Sequence, residues 1–191
     1  MHTLVGLGNP GQRYSNTRHN IGYIIVDFFS GIDKIPFKTG KGDYYYKKVV
    51  IENNQILICK PTTYMNNSGL AVRQITDYFS IPAEDLLIVC DDYNLPFGTL
   101  RFRKRGSDGG HNGLKSVIYH MHTEDFARFR IGIGTEFADP VKFVLNKFNK
   151  RESEILNDLL PISVRAIKHW ITEGTERTMN IYNGLYTNEN G

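Results

Sequence analysis

One histidine, two neighbouring aspartates and three asparagines carry the chemistry that can be read in this chain. His19 lies in Thr17-Arg18-His19-Asn20, directly before a segment that places Ile21, Ile24, Ile25, Phe28 and Phe29 on one helical face. The positive end of a helix disfavours an imidazolium, so the ring is expected to be a neutral base. Such a base needs an acceptor for its other N–H. Asp91 ends the apolar run Leu86 to Cys90, where its carboxylate could fix the tautomer and support the imidazolium that forms. Asp92 competes for that role, because strand alternation sends one of the two inward and the other outward. Asn9, Asn66 and Asn112 each follow a strand or a glycine loop. A neutral amide can donate to a carbonyl oxygen or place a water without competing for the proton of His19. Asparagine also favours turns, so these three gain weight only if they converge on one crevice.

Other chemistries find less support. Ser68 sits in Met65-Asn66-Asn67-Ser68-Gly69 rather than in a G-x-S-x-G elbow, and neither Cys59 nor Cys90 follows a basic group. Without a nucleophile, the reaction must activate water. His2, His120, His122 and His169 read as surface or packing residues. The spacing of His120 and His122 suits a strand better than the helix end expected there, so no metal site is expected. Gly6-Leu7-Gly8-Asn9-Pro10-Gly11 matches a dinucleotide fingerprint, but the polar stretch Gln12 to Arg18 intervenes where the helix should open. No cofactor is expected.

The elements that must position these residues follow from periodicity. Thr3 to Gly8, Tyr44 to Ile51, Gln55 to Lys60, Leu86 to Cys90 and Arg128 to Gly134 read as strands, the second and third joined as a hairpin through Glu52-Asn53-Asn54. Helices are expected over the segment after His19, over Ala71 to Phe79, over Asn112 to Met121 and over Glu152 to Glu173. Pro161 should kink the last of these or mark its start, and Gly174 suits its C-terminal cap. Alternation of strand and helix predicts an α/β fold, a mixed but largely parallel central sheet flanked by helices. Ligands of such sheets sit beyond the carboxyl ends of the strands, so loops 9–20, 61–68 and 91–98 should share one crevice.

At 191 residues, 40% of them hydrophobic, the chain suits a single domain spanning 1–191, with 185–191 as a frayed tail. Its longest aliphatic stretch is far short of a membrane span, Asn9 and Pro10 interrupt any signal-peptide core, and two cysteines make no disulfide framework. A cytoplasmic setting fits. Net charge is only +3, but Arg101-Phe102-Arg103-Lys104-Arg105 concentrates four cations just before Gly106-Ser107-Asp108-Gly109-Gly110. That cluster reads either as an edge strand protected by charge or as a phosphate contact.

Taken together, Val5-Gly6-Leu7-Gly8-Asn9-Pro10-Gly11, Tyr14, Thr17-Arg18-His19-Asn20-Ile21-Gly22, Pro61-Thr62-Thr63-Tyr64-Met65-Asn66 and Gly109-Gly110-His111-Asn112-Gly113-Leu114-Lys115 resemble bacterial-type peptidyl-tRNA hydrolase. Asp91, Leu95-Pro96, Gly98 and Arg130-Ile131-Gly132-Ile133-Gly134 continue the likeness, which covers almost the whole chain. The resemblance implies a monomeric, metal-free hydrolase that cleaves the ester between a peptide and the terminal ribose of tRNA, with no membrane and no obligate protein partner. It implies a catalytic set of His19 as base, Asp91 as its partner and Asn9 as reader of the blocked peptide end. Tyr14, Tyr64, Asn66 and Asn112 would hold substrate, and Arg101, Arg103, Lys104, Arg105 and Arg130 would grip the tRNA backbone. Asn94 stands where the family often has aspartate, Phe97 where a second proline is common, and Asp108 adds a negative charge to the glycine loop. The segment Thr135-Glu136-Phe137-Ala138 also looks short and acidic. These departures bear on the grip on RNA. The alternative is an RNA-binding protein of the same fold without the chemistry; the intact catalytic set speaks against it.

Overall fold

The computed structural model describes residues 1–31 and 35–185; of the expected tail, residues 186–191 lie outside the described residues. A seven-stranded sheet has the order β2-β3-β4-β1-β5-β7-β6. The strands are β1 (His2–Gly6), β2 (Lys38–Thr39), β3 (Tyr44–Ile51), β4 (Asn54–Pro61), β5 (Leu86–Asp92), β6 (Leu100–Arg103) and β7 (Ala127–Gly132). The central four, β4, β1, β5 and β7, run parallel, while the outer pairings are antiparallel. All seven residues of β5 are buried, as expected of a parallel strand covered on both faces.

Helices α1 (Ile21–Ser30) and α5 (Lys150–Tyr182) cover one face, burying Ile25, Phe29, Ile167 and Trp170 against Leu4, Val89, Phe102 and Phe129. Helices α2 (Ser68–Phe79) and α3 (Asn112–Met121) cover the other, setting Val72, Ile75, Leu114 and Val117 against Val5, Leu57 and Ile88. The short α4 (Pro140–Leu145) and strand β2 were not anticipated from sequence. Both are too short to show a periodicity. No helix among the described residues is long and apolar enough to cross a membrane.

Two details bear on the site. Gly22, in the first turn of α1, lies against the backbone carbonyls of Leu7 and Val89, closer than any Cβ would permit. That contact draws the start of α1, and with it His19, onto the ends of β1 and β5. The basic segment forms the sheet's edge strand β6, where Leu100 and Phe102 point inward and Arg101 and Arg103 are half-exposed. This edge is covered, because the Asn183 side chain bonds both the N–H (2.6 Å) and the carbonyl (3.2 Å) of Phe102, and Gly184 N donates to Leu100 O.

The last helix departs from expectation at its start and at Pro161, and meets it at Gly174. It begins at Lys150, where Asn149 and Glu152 form a reciprocal capping box. Pro161 sits inside it on an exposed position with no loss of helical backbone, and the break falls at Gly174 (φ 80°, ψ 176°) instead. Burial of Leu156, Leu159, Ala166 and Ile167 on the sheet holds the helix across the hydrogen bond that proline cannot make.

Candidate active site

The carboxyl ends of β1, β4 and β5 open into a cleft of about 630 Å³ lined by Asn9, Tyr14, His19, Tyr64, Asn66, Tyr93, His111 and Asn112, with Pro140, Val141, Val144 and Leu145 of α4 forming an apolar wall. All three loops expected to share a crevice contribute to it. The glycine loop before α3 and helix α4 complete it.

His19 occupies a 3-10 turn, Arg18–Asn20, that leads into α1. Its Nδ1 lies 2.9 Å from Asp91 Oδ1, and both groups are buried. With Nδ1–H donating to the carboxylate, Nε2 is left with its lone pair as acceptor. Burial alone would lower the His19 pKa, but the charge and hydrogen bond of Asp91 outweigh it, so the ring titrates above the ordinary imidazole value. The expectation that a helix end keeps the ring neutral therefore gives way to a stronger base, because a buried carboxylate in contact exceeds the dipole of a helix terminus. Asp91 is itself held far below the usual carboxylate range: burial opposes this, but His19 and His111 together prevail. The competitor Asp92 turns to the other side, 3.3 Å from Arg130, and accepts from the backbone N–H of Asn94.

Asn9 is fixed on every side but one. Its Oδ1 accepts from Met65 N (2.8 Å), and the Asn20 side chain clamps its backbone, accepting from Asn9 N and donating to Asn9 O. The amide is therefore oriented with its NH2 toward the cleft as a donor. Tyr14 and Tyr64 meet edge to face across the opening with ring centres 6.4 Å apart.

The basic residues are distributed differently. Arg103 and Arg105 do not line the cleft. Arg103 pairs with Arg128 in the sheet while Leu100 pairs with Ile131, beside Asp91, so Arg103 stands three residues, roughly 10 Å, from the cleft end. Lys104 is engaged by Glu176 at 2.9 Å. Arg130 supports the glycine loop from beneath, donating to Asp108 O (2.7 Å), and Arg128 does the same at Gly106 and Ser107. Asp108 caps that loop by accepting from Gly110 N (2.7 Å), and Asn94 donates to Gly109 O, so two of the sequence departures serve loop geometry.

Sequence reasoning missed two residues here. His111 Nε2 lies 2.9 Å from the same Asp91 oxygen that His19 contacts, and its Nδ1 accepts from Leu114 N (3.1 Å), capping α3. Its place in the glycine loop beside Asn112 was visible; its convergence on Asp91 was not. Arg18 is buried, binds Glu152 through both carboxylate oxygens (2.8 and 2.7 Å) and donates to the carbonyls of Asn146 and Lys147. It thereby ties the His19 turn to the segment after α4. The trio His19, Asp91 and His111 has the composition of a metal site. The Leu114 N–H argues otherwise, since a metal-bound histidine keeps a proton on its other nitrogen and would face that donor with a second one.

Comparison with known proteins agrees with this geometry. The sequence profile of the peptidyl-tRNA hydrolase family matches residues 3–190. Peptidyl-tRNA hydrolase of Prosthecochloris aestuarii is 44% identical over 185 residues, 96% of each chain, and that of Clostridium botulinum is 40% identical over 189 residues, 99% of each. The crystal structure of peptidyl-tRNA hydrolase from Acinetobacter baumannii superposes with a TM-score of 0.92 at 30% identity, covering 98% of this chain and 97% of that one. The chain belongs to the peptidyl-tRNA hydrolase family.

Proposed function

We propose that this protein hydrolyses the ester between a peptide and the terminal ribose of tRNA, with His19 as general base. The observation that carries the reading is the buried His19 Nδ1–Asp91 Oδ1 contact at 2.9 Å, which leaves Nε2 as acceptor in a cleft also lined by the Asn9 amide. Water gives a proton to His19 Nε2 as its oxygen attacks the ester carbonyl. The negative charge that develops on the carbonyl oxygen is met by the Asn9 NH2. Collapse breaks the bond to the ribose oxygen, which takes the proton back from the His19 imidazolium and leaves as a hydroxyl. General-base assistance contributes ~10² to 10⁴ in rate and an oxyanion donor ~10² to 10³.

Asp91 acts through His19, holding its tautomer and stabilising its cation. Asn66 and Asn112 are exposed on the cleft wall as donors and acceptors for the acyl chain, and Tyr14 and Tyr64 flank the opening. The apolar wall of α4 suits peptide side chains. The tRNA body extends from the cleft along the β6 edge toward Arg103 and Arg105, with the protein acting as a cytoplasmic monomer. No observation favours the reading of a non-catalytic RNA-binding protein. The test uses N-blocked and free aminoacyl-tRNA: release from the blocked form alone, abolished in a folded His19→Ala protein, is expected. Wild-type-like release by that variant would falsify the mechanism.

A further inference from the structure

We infer that His111 is a positioning residue that limits how strongly Asp91 acts on His19, by holding the shared carboxylate oxygen with a donor that cannot change tautomer. This rests on the reading of His19 as the general base. The geometry behind it is local and complete. Leu114 N–H points at His111 Nδ1, so the one proton of the neutral ring must sit on Nε2, from which it donates to Asp91 Oδ1. His19 Nδ1 donates to that same oxygen, whereas Asp91 Oδ2 is buried with no partner among the described residues. Two rings with centres 4.9 Å apart thus share one acceptor atom.

Two consequences follow. First, an acceptor divided between two donors favours the His19 cation less than one devoted to it, so the neutral, proton-accepting form of His19 persists closer to neutral pH. Second, the proton taken from water cannot pass on to His111, because a doubly protonated ring would set Nδ1–H against Leu114 N–H. The charge stays on His19, where the leaving ribose oxygen needs it.

The other charged and titratable groups around the pair are already engaged or turned away. Arg18 is bound to Glu152 and Asp92 to Arg130, while Tyr14, Tyr64 and Tyr93 line the cleft. From α4, Pro140, Val141, Val144 and Leu145 face the cleft, and Lys142 is exposed near Asp139.

Two substitutions separate the two bonds of His111. His111→Asn keeps an acceptor at the Nδ1 position for Leu114 N–H but loses the donor to Asp91. His111→Gln restores a donor at the Nε2 position and loses the cap. The acid limb of the pH–rate profile for release from N-blocked aminoacyl-tRNA should move up by about half to one pH unit in His111→Asn, given ~0.5 to 1.5 kcal/mol for one hydrogen bond and 1.36 kcal/mol per unit. In His111→Gln the limb should return to the wild-type position while the thermal midpoint falls. A role confined to capping α3 predicts wild-type limbs in both variants. An unmoved limb in folded His111→Asn, or one moved toward acid, overturns the inference. If His19→Ala is inactive while that limb stays put, this inference fails and the general-base reading stands.

Discussion

Asp91→Asn separates what the carboxylate does by charge from what it does by orientation. In a free setting the new amide could present either end to His19, and an NH2 facing Nδ1 would force the wrong tautomer, a change that costs ~10⁴ in serine-protease triads. Here His111 decides the matter. It can only donate, so the amide oxygen must take the place of Asp91 Oδ1, where it still accepts from His19 Nδ1–H. The tautomer survives and the charge is lost. A hydrogen bond to a charged partner is worth ~1.5 to 3 kcal/mol, so the rate at neutral pH should fall about 10- to 100-fold. With the carboxylate's charge gone, only a neutral hydrogen bond opposes the effect of burial on His19, and the acid limb should move below its wild-type position. Stability should change as well. The amide NH2 would occupy the place of Oδ2, which has no partner among the described residues, at a cost of about 1 to 3 kcal/mol. Because the folded-state pKa of Asp91 is depressed, its ionisation contributes stability above the unfolded value near ~3.9, lost as pH falls toward the folded one; the variant should be less sensitive over that acid range. The assay is a pH–rate profile on N-blocked aminoacyl-tRNA, with urea unfolding as a function of pH. A loss of 10³-fold or more with an unmoved acid limb would refute the argument that His111 pins the amide.

Asn9→Ala removes the NH2 aimed into the cleft and the acceptor for Met65 N, and steady-state kinetics should show kcat/KM lower by about 10²- to 10³-fold with the fold retained. Glu152→Gln leaves the buried Arg18 guanidinium without its counter-charge, which should cost about 3 to 5 kcal/mol in denaturant unfolding; a loss below 1 kcal/mol would mean that the surrounding carbonyls suffice. Changing Arg103 and Arg105 together to alanine should flatten the dependence of tRNA affinity on salt, by about one unit of log–log slope for each phosphate no longer neutralised, and an equal slope would return β6 to a purely structural edge.

Legibility in the sequence followed the range of the interactions. The central strands were readable because burial on both faces writes continuous apolar runs such as Leu86 to Cys90. The hairpin was readable because the polar Glu52-Asn53-Asn54 separates two apolar runs, and the structure closes it as a two-residue turn with Glu52 and Asn53 both at positive φ. His19, Asp91 and Asn9 were nominated by the rule that sites form where parallel strands end, and the structure sets all three around one cleft. What escaped depends on distant atoms. His111 matters through an oxygen twenty residues away in sequence. Arg18 looks like another cation of a polar loop until Glu152 is folded against it. Nothing in the periodicity of Pro140–Leu145 announces a cleft wall.

The arrangement also explains why so small a set of polar groups can be buried without unfolding the site. Asp91 would be costly in that position with no counter-charge or donor. Its tolerated charge comes from two rings whose tautomers are fixed in different ways, one by a backbone N–H at the start of α3 and one by the carboxylate itself. The closeness of α1 to β1 and β5 at Gly22 brings the first ring within reach, and the glycine loop braced by Arg128 and Arg130 delivers the second. A side chain at Gly22 would push the start of α1 off the sheet, lengthening the His19–Asp91 contact while leaving His111 in place. The carboxylate would then be satisfied by the wrong histidine, so the variant could remain folded and still lose the base.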